Sequence, residues 1–251
     1  MRVLVILPTY NERDNIESIL RAAHGVLPDA GILVVDDSSP DGTAEIAGKV
    51  AADIGTIELL VRPKKEGLGP AYREGFRWGL EQGYDVLVEM DSDFSHDPSA
   101  LPRLIAPIED GAELVVGSRY VPGGAIPDWT TGRRLLSRFG NLYAKFLLGF
   151  DVEDSTAGFR AYAATLLQRI DLDEVRADSY GFQVEMTYRA SLAGAKIVEV
   201  PIEFVDRVEG TSKMSAFTVA EALVLVTYWG ARRLVVPAYR RIDAKAPASH
   251  S

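Results

Sequence analysis

Five stretches in the first half of the chain are mainly apolar from end to end and then stop at polar residues. They are "RVLVILP" (2–8), "GILVVDD" (31–37), "IELLVRP" (57–63), "YDVLVEM" (84–90) and "AELVVGS" (112–118). A strand with one wet face alternates apolar and polar side chains. A strand that is apolar throughout has to be covered on both faces, which a parallel sheet between two helical layers provides. Helical patterns fill the intervals, so the reading is an α/β chain built of repeated βα units. In such sheets ligands gather at the carboxyl ends of the strands. Pro8, Tyr10 and Glu12, then Asp36 and Asp37, then Asp91 and Asp93, then Ser118 and Arg119 all fall just past a strand end.

The helical intervals carry their own signals. Ile16, Ile19, Leu20 and Ala23 recur at helical spacing, with Asn11 as the expected cap and Asp14 at the third position. "AEIAGKVAA" is a short helix after the turn "SSPDGT". "KKEGLGPAYREGFRWGLEQG" begins rich in Gly and becomes helical, with Gly75/Phe76 and Gly79/Leu80 on one face and Gly83 at its end. Residues 99–109, 133–149 and 181–193 are further helices. "DVEDSTAGFRAY" (151–162) reads as a polar turn, and "KIVEVPIEF" (196–204) as a last strand. Residues 1–240 are expected to form one domain, and 241–251 a disordered tail.

Composition narrows the partners. A chain of 251 residues, 47 % hydrophobic and 25 % charged, is long enough to bury a sizeable core. It contains no Cys, which removes disulfides, thiolate metal sites and Cys nucleophiles. A formal net charge of −9 argues against nucleic acid as a partner. The most apolar late stretch, "AEALVLVTYWGARRLVVPAY", is interrupted at Glu221, Gly230 and Arg232-Arg233. Its unbroken core of about ten residues is well short of the ~20 that span a bilayer.

Two carboxylates spaced as Asp91 and Asp93 repel unless a cation joins them. A hard divalent ion suits them, because Mg²⁺ binds through one or two carboxylates and completes its shell with phosphate oxygens and water. The same spacing fits a capped loop with surface acids. "VVDDSSPDGT" is no EF-hand, since the twelfth position from Asp37 is Gly48, and "GLGPAYREG" is not G-x-G-x-x-G. Arg119, Arg133, Arg134, Arg207 and Lys213 fall near expected loop ends, as a clamp on phosphate would need.

In order along the chain, "LPTYNERDNI", "VVDDSSPDGT", "GLGPAYREGF", "MDSDFSHDP", "VVGSRYVPGG", "DSTAGFRAY", "GFQVEMTYRA" and "VEVPIEFVDRVEGTSKM" resemble the dolichol/polyprenyl-phosphate mannosyltransferases. These are inverting family-2 glycosyltransferases with the GT-A fold, a mostly parallel central sheet flanked by helices; this chain resembles the short type without transmembrane helices. The resemblance implies transfer of mannose from GDP-mannose to a polyprenyl phosphate at the cytoplasmic face of the membrane. It implies nucleotide-sugar contacts at Pro8, Tyr10, Glu12, Asp37, Asp91, Arg207 and Lys213, and a Mg²⁺ or Mn²⁺ site at Asp91 and Asp93. Arg119 and Arg133 correspond to residues that grip the acceptor phosphate, and Asp93, Arg119 and Asp154 to the catalytic positions. Asp154 stands where many inverting relatives carry a base, with orientation of the acceptor or a structural role as its expected work. Relatives often carry Gln two places after the second Asp, where this chain has Ser95.

A phosphate monoester acceptor is largely dianionic at neutral pH and needs no strong base. The helix 133–149, apolar with interspersed cations, suits a membrane interface, and equally a helix covering the sheet. The chain is then peripheral on the membrane or recruited by a membrane-anchoring subunit. Rival readings are a UDP-glucose-dependent polyprenyl-phosphate glucosyltransferase, a phosphatase using "DSDFS" as a D-x-D-x-S loop, and a non-catalytic nucleotide-binding module.

Overall fold

The computed structural model describes residues 1–178, 180–206 and 216–235. Arg207, Lys213 and the expected tail at 241–251 lie outside the described residues. Seven strands form one sheet: β1 (Val3–Thr9), β2 (Gly31–Asp36), β3 (Ile57–Val61), β4 (Val86–Glu89), β5 (Leu114–Ser118), β6 (Arg160–Ala163) and β7 (Ile197–Pro201). Their order is β3-β2-β1-β4-β6-β5-β7. All pairs are parallel except those of β6, which runs antiparallel to both β4 and β5.

The apolar strands are covered on both sides, as their lack of alternation requires. Val5 and Leu7 face one layer, made by α1 (Arg13–Val26), α2 (Thr43–Ile54) and α4 (Leu101–Glu109). Leu4 and Ile6 face the other, made by α3 (Leu68–Glu81), α6 (Ala164–Arg169) and α7 (Tyr180–Leu192). A third apolar cluster joins α5 (Thr131–Leu148) and α8 (Ala216–Val235) to α7 through Ala144, Leu148, Val184, Tyr188 and Val226. The anticipated core of α1 is fully buried: Ile16, Ile19, Leu20 and Ala23.

Three local expectations change. Asn11 does not cap α1; it has φ 61°, and Glu12 precedes the first helical residue without a side-chain cap. The last residues of the "polar turn" are β6, a four-residue strand that opens on Arg160 and is too short to register as an apolar run. Pro8 does not end β1 but lies within it, paired with Val35. It can do so because the carbonyl of Ile6 already takes Met90 N on that edge, and β4 ends there. Two residues on, Pro8 needs no ladder donor, and its carbonyl accepts from Ser92 Oγ at 3.2 Å.

Helix α3 approaches the sheet through glycine. A Cβ at Gly79 would lie 2.5 Å from Leu87 Cδ2 and 2.7 Å from Leu4 Cδ2, so the absent side chain sets the helix–sheet distance. Gly79→Val is expected to destabilise the fold by about 1–3 kcal/mol, the usual cost of overpacking a close-packed interior. Urea unfolding should show a lower midpoint with an unchanged slope; an unchanged midpoint would show that α3 moves away freely.

Candidate active site

A cavity of about 610 Å³ opens at the carboxyl edge of the sheet. Pro8, Tyr10, Glu12, Asp37, Asp91, Asp93, Arg119 and Arg133 all line it, although they come from four strand ends and a helix. Asp154, Ser95 and Arg134 do not. Among the described residues, only three non-glycine positions have positive φ: Asn11 (61°), Ser38 (54°) and Phe94 (60°). They follow β1, β2 and β4, at the cavity's rim, where backbone strain is concentrated.

At one end the acids are set by a buried cation. Arg62, just past β3 and 2 % exposed, bonds Asp37 at 2.6 Å, Glu66 at 2.6 Å and Glu74 at 2.9 Å. Asp37 also accepts from Glu66 N at 3.2 Å. Its neighbour Asp36 points inward, accepting from Thr9 Oγ1 and from the backbone and hydroxyl of Ser39, and so holds the turn rather than the cavity wall. Lys65 Nζ lies 3.8 Å from the centre of the Tyr10 ring, a cation–π contact across the cavity mouth.

In the middle, the loop after β4 carries the carboxylate pair. The amide of Asp91 donates to His96 Nδ1 at 3.2 Å, and Asp91 Oδ2 lies 3.8 Å from the same nitrogen. His96 is wedged between Phe159, stacked at 4.9 Å, and the edge of Phe204. Asp93 Oδ1 accepts from Ser95 N at 3.0 Å, which closes the bend through Phe94. Ser95 is buried, and its Oγ has no hydrogen-bond partner among the described residues. Among the described residues no three His, Cys, Asp or Glu side chains form a closed metal cage. The donor set therefore fits a hard divalent ion that draws its other ligands from phosphate and water, with Asp91 and Asp93 as the protein's share. Below this loop Glu89 is fully buried and receives Gln183 Nε2 at 2.8 Å. Burial pushes its carboxyl up to about 8 against the pull of Arg160, so it stays neutral at pH 7.

The other end is cationic. Arg119 follows β5 and is gripped from behind by Asp154 through its backbone N, Nε and Nη2, at 2.9, 2.7 and 2.6 Å. Burial alone would raise the Asp154 carboxyl, but the Arg119 charge and these bonds outweigh it and hold it below its ordinary value. Its carboxylate is fully buried and its side-chain hydrogen bonds run to Arg119 and Thr156, so Asp154 sits behind the cavity rather than in it. The side chain of Arg133 bonds Asp206, and Arg134 turns away to the carbonyls of Ile126 and Pro127. The sequence singled out none of Lys65, His96, Trp129, Gln183 or Asp206, which also line the cavity. Trp129 stood in plain view within a Gly/Pro loop, while His96, five residues beyond Asp91, carried no recognisable spacing.

A family model for glycosyl transferase family 2 matches residues 4–171. The chain is 52 % identical over 230 residues to the undecaprenyl-phosphate mannosyltransferase of Micrococcus luteus, covering 92 % of this chain and 94 % of that one. It is 49 % identical over 232 residues to the polyprenol monophosphomannose synthase of Mycolicibacterium smegmatis, covering 92 % and 88 %. Solved structures share the GT-A fold. Glucosyl-3-phosphoglycerate synthase from Mycobacterium tuberculosis aligns with TM-score 0.65 at 18 % identity, over 92 % of this chain and 80 % of that one. A mannosyltransferase from Pyrobaculum calidifontis, solved with GDP-Man and Mn²⁺, aligns with TM-score 0.58 at 20 % identity, over 98 % and 66 %.

Asp154→Asn leaves Arg119 without its counter-charge. Removing one partner of a buried pair costs roughly 3–5 kcal/mol, and the lower end is expected here because Arg119 reaches the cavity. Because Asp154 titrates lower in the folded chain, its contribution is complete above the unfolded value near 3.8 and is lost as pH falls through the folded one. Thermal unfolding should separate wild type and variant at pH 7 and bring them together at low pH. A constant gap would show that packing, not charge, is lost.

Proposed function

The chain belongs to glycosyl transferase family 2, and on that premise we propose that it transfers mannose from GDP-mannose to a polyprenyl phosphate, inverting the anomeric carbon. The observation that carries this reading is one cavity with an acid pair at its centre and two arginines at one end. Relatives at 52 % and 49 % identity bear names of that activity, which supports it further.

In this reading Pro8, Tyr10, Glu12 and Asp37 contact the nucleoside, and Arg62 keeps the Asp37 carboxylate aimed. Arg207 and Lys213 keep the phosphate-binding roles that the resemblance assigns them. Asp91 and Asp93 hold Mg²⁺ or Mn²⁺, which when bound offsets the charge of the departing diphosphate. Arg119 and Arg133 hold the acceptor phosphate. One of its oxygens forms the new bond to the anomeric carbon while the bond from that carbon to the diphosphate oxygen breaks, its electron pair leaving with GDP. A dianionic nucleophile needs no proton removed, so Asp154 acts by fixing Arg119 rather than as a base.

The acceptor is a lipid, and the molecule presents a face suited to one. Leu135, Leu136, Phe139, Leu142 and Phe146 on α5 are exposed, Phe146 by 82 %, with Val224 and Tyr228 of α8. Arg134, Arg138 and Arg232 are exposed on the same two helices. Arg133, in the first turn of α5, lines the cavity, so the apolar stripe begins at the acceptor end. No helix among the described residues is long and apolar enough to cross a membrane. In this reading the chain attaches peripherally, at the cytoplasmic face, through the exposed apolar residues of α5 and α8; a membrane-anchoring subunit would use the same face.

Purified protein with GDP-mannose, UDP-glucose and a short-chain polyprenyl phosphate should give lipid-linked product from GDP-mannose only. Chelation of divalent ions and Asp93→Ala should each lower that rate by at least a hundredfold without unfolding the protein. Product from UDP-glucose alone would replace the donor, and an Asp93→Ala enzyme near wild-type rate would remove the metal site.

Leu142→Glu with Phe146→Glu should abolish cosedimentation with vesicles containing anionic lipid. Transfer to a detergent-dispersed acceptor should stay within about twofold of wild type. Unchanged vesicle binding would place membrane attachment elsewhere.

A further inference from the structure

Trp129 lies in the loop between β5 and α5, 7 % exposed, and forms part of the cavity wall. Three contacts converge on its indole. Nε1–H donates to Asp206 Oδ1 at 3.1 Å. The guanidinium carbon of Arg133 lies 3.9 Å from the ring centre, and that of Arg119 lies 5.2 Å from it. Phe204 meets the indole edge-on at 5.8 Å and stands 5.6 Å from the same Arg119 carbon. One ring is thus a common wall for both cations at the acceptor end.

Two guanidinium groups repel, and held apart only by carboxylates they would spend their N–H donors on those partners. An aromatic face attracts a cation without accepting its in-plane hydrogen bonds, so it fixes the group and leaves the donors directed outward. Among the described residues, Asp154 stands behind Arg119, and Asp206 accepts from Arg133 Nη1 at 2.9 and 3.0 Å. Arg133 Nε is buried and has no acceptor among the described residues. The bond from the indole to Asp206 sets the ring's rotation, and Asp206 in turn holds Arg133 against the ring.

Resting on the function proposed above, we infer that Trp129 is the positioning residue of the acceptor subsite, holding Arg119 and Arg133 on its indole as a pair that grips one phosphate monoester dianion. Bidentate gripping of this kind is sensitive to the angle between the two guanidinium planes. Loss of the ring therefore weakens capture of the acceptor and leaves the nucleotide end, built on β1, β2 and β4, unaffected.

The test is steady-state kinetics with a detergent-dispersed short-chain polyprenyl phosphate and the nucleotide sugar used by the wild type. Trp129→Leu is expected to raise the acceptor KM about tenfold, through loss of the cation–π contacts that hold the two guanidinium groups, and to keep the donor KM within about twofold. Trp129→Phe keeps a ring without the N–H and is expected to raise the acceptor KM about threefold; it carries the test if the leucine variant fails to fold. Acceptor and donor constants that rise together, or an acceptor KM unmoved in either variant, would overturn the inference. So would a phenylalanine variant as impaired as the leucine one, since the ring would then not be what matters. Absence of any lipid-linked product from the wild type would overturn the functional reading and this inference with it; a wild-type product with unsplit constants overturns the inference alone.

Discussion

A single buried guanidinium underlies the half of the molecule built on β5, β6 and α5. Arg160, with no solvent exposure, donates to the carbonyls of Ala157 and Ser155 at 2.7 Å each and to that of Gln183 at 2.9 Å. Thr187 Oγ1 at 2.9 Å and Tyr162 Oη at 3.4 Å complete its ring of acceptors. A charge taken out of water is tolerated only when its donors are satisfied in this way. The consequence is mechanical. The 154–157 loop is tied to α7, Asp154 at its head is fixed, and through Asp154 so is Arg119. The same charge helps to keep Asp154 ionised and restrains the upward shift of Glu89. Asn141 adds a second tie, receiving Ser155 Oγ at 2.9 Å and so joining α5 to the same loop.

The cavity has two ends with different origins. Its acidic end is made by loops after β1, β2 and β4, each with one strained residue, and is braced by Arg62. Its basic end is made by β5, the 119–130 loop and α5, and is braced by Arg160 and an aromatic group. Each end thus has one arginine at 2 % exposure or less, turned inward, while the arginines that face the cavity are themselves held. The net charge of −9 is thus no obstacle to binding anions, because the cations are concentrated at one place.

Much of this was legible in the sequence for a simple reason. Apolar runs covered on both faces leave a strong pattern, and their polar ends mark one sheet edge, so seven of the cavity-lining positions fall just past a strand end, and the family resemblance added Arg133. What was not legible depends on long-range partners. Arg160 reads as a charged residue in a polar stretch, and only its position between β4 and β5 makes it interior. Asp154 has the composition of a base and the surroundings of a support. Trp129 and His96 pack their rings against residues far along the chain, Phe204 and Phe159, and no local spacing encodes such contacts. Asn11 has a capping side chain, but the left-handed turn at the rim takes the place where a cap would form.

The antiparallel strand bears on how the chain assembles as well as on where it binds. β1 to β4 pair among themselves in order of synthesis, but β5 pairs only with β6 and β7, both of which follow it. Until residue 160 exists, β4 keeps an open edge and β5 has no neighbour in the sheet. The strand that joins the two halves also carries the buried arginine. Sheet closure and burial of that charge are therefore one event: β5 and β7 take their places beside β1–β4 only when the join is made.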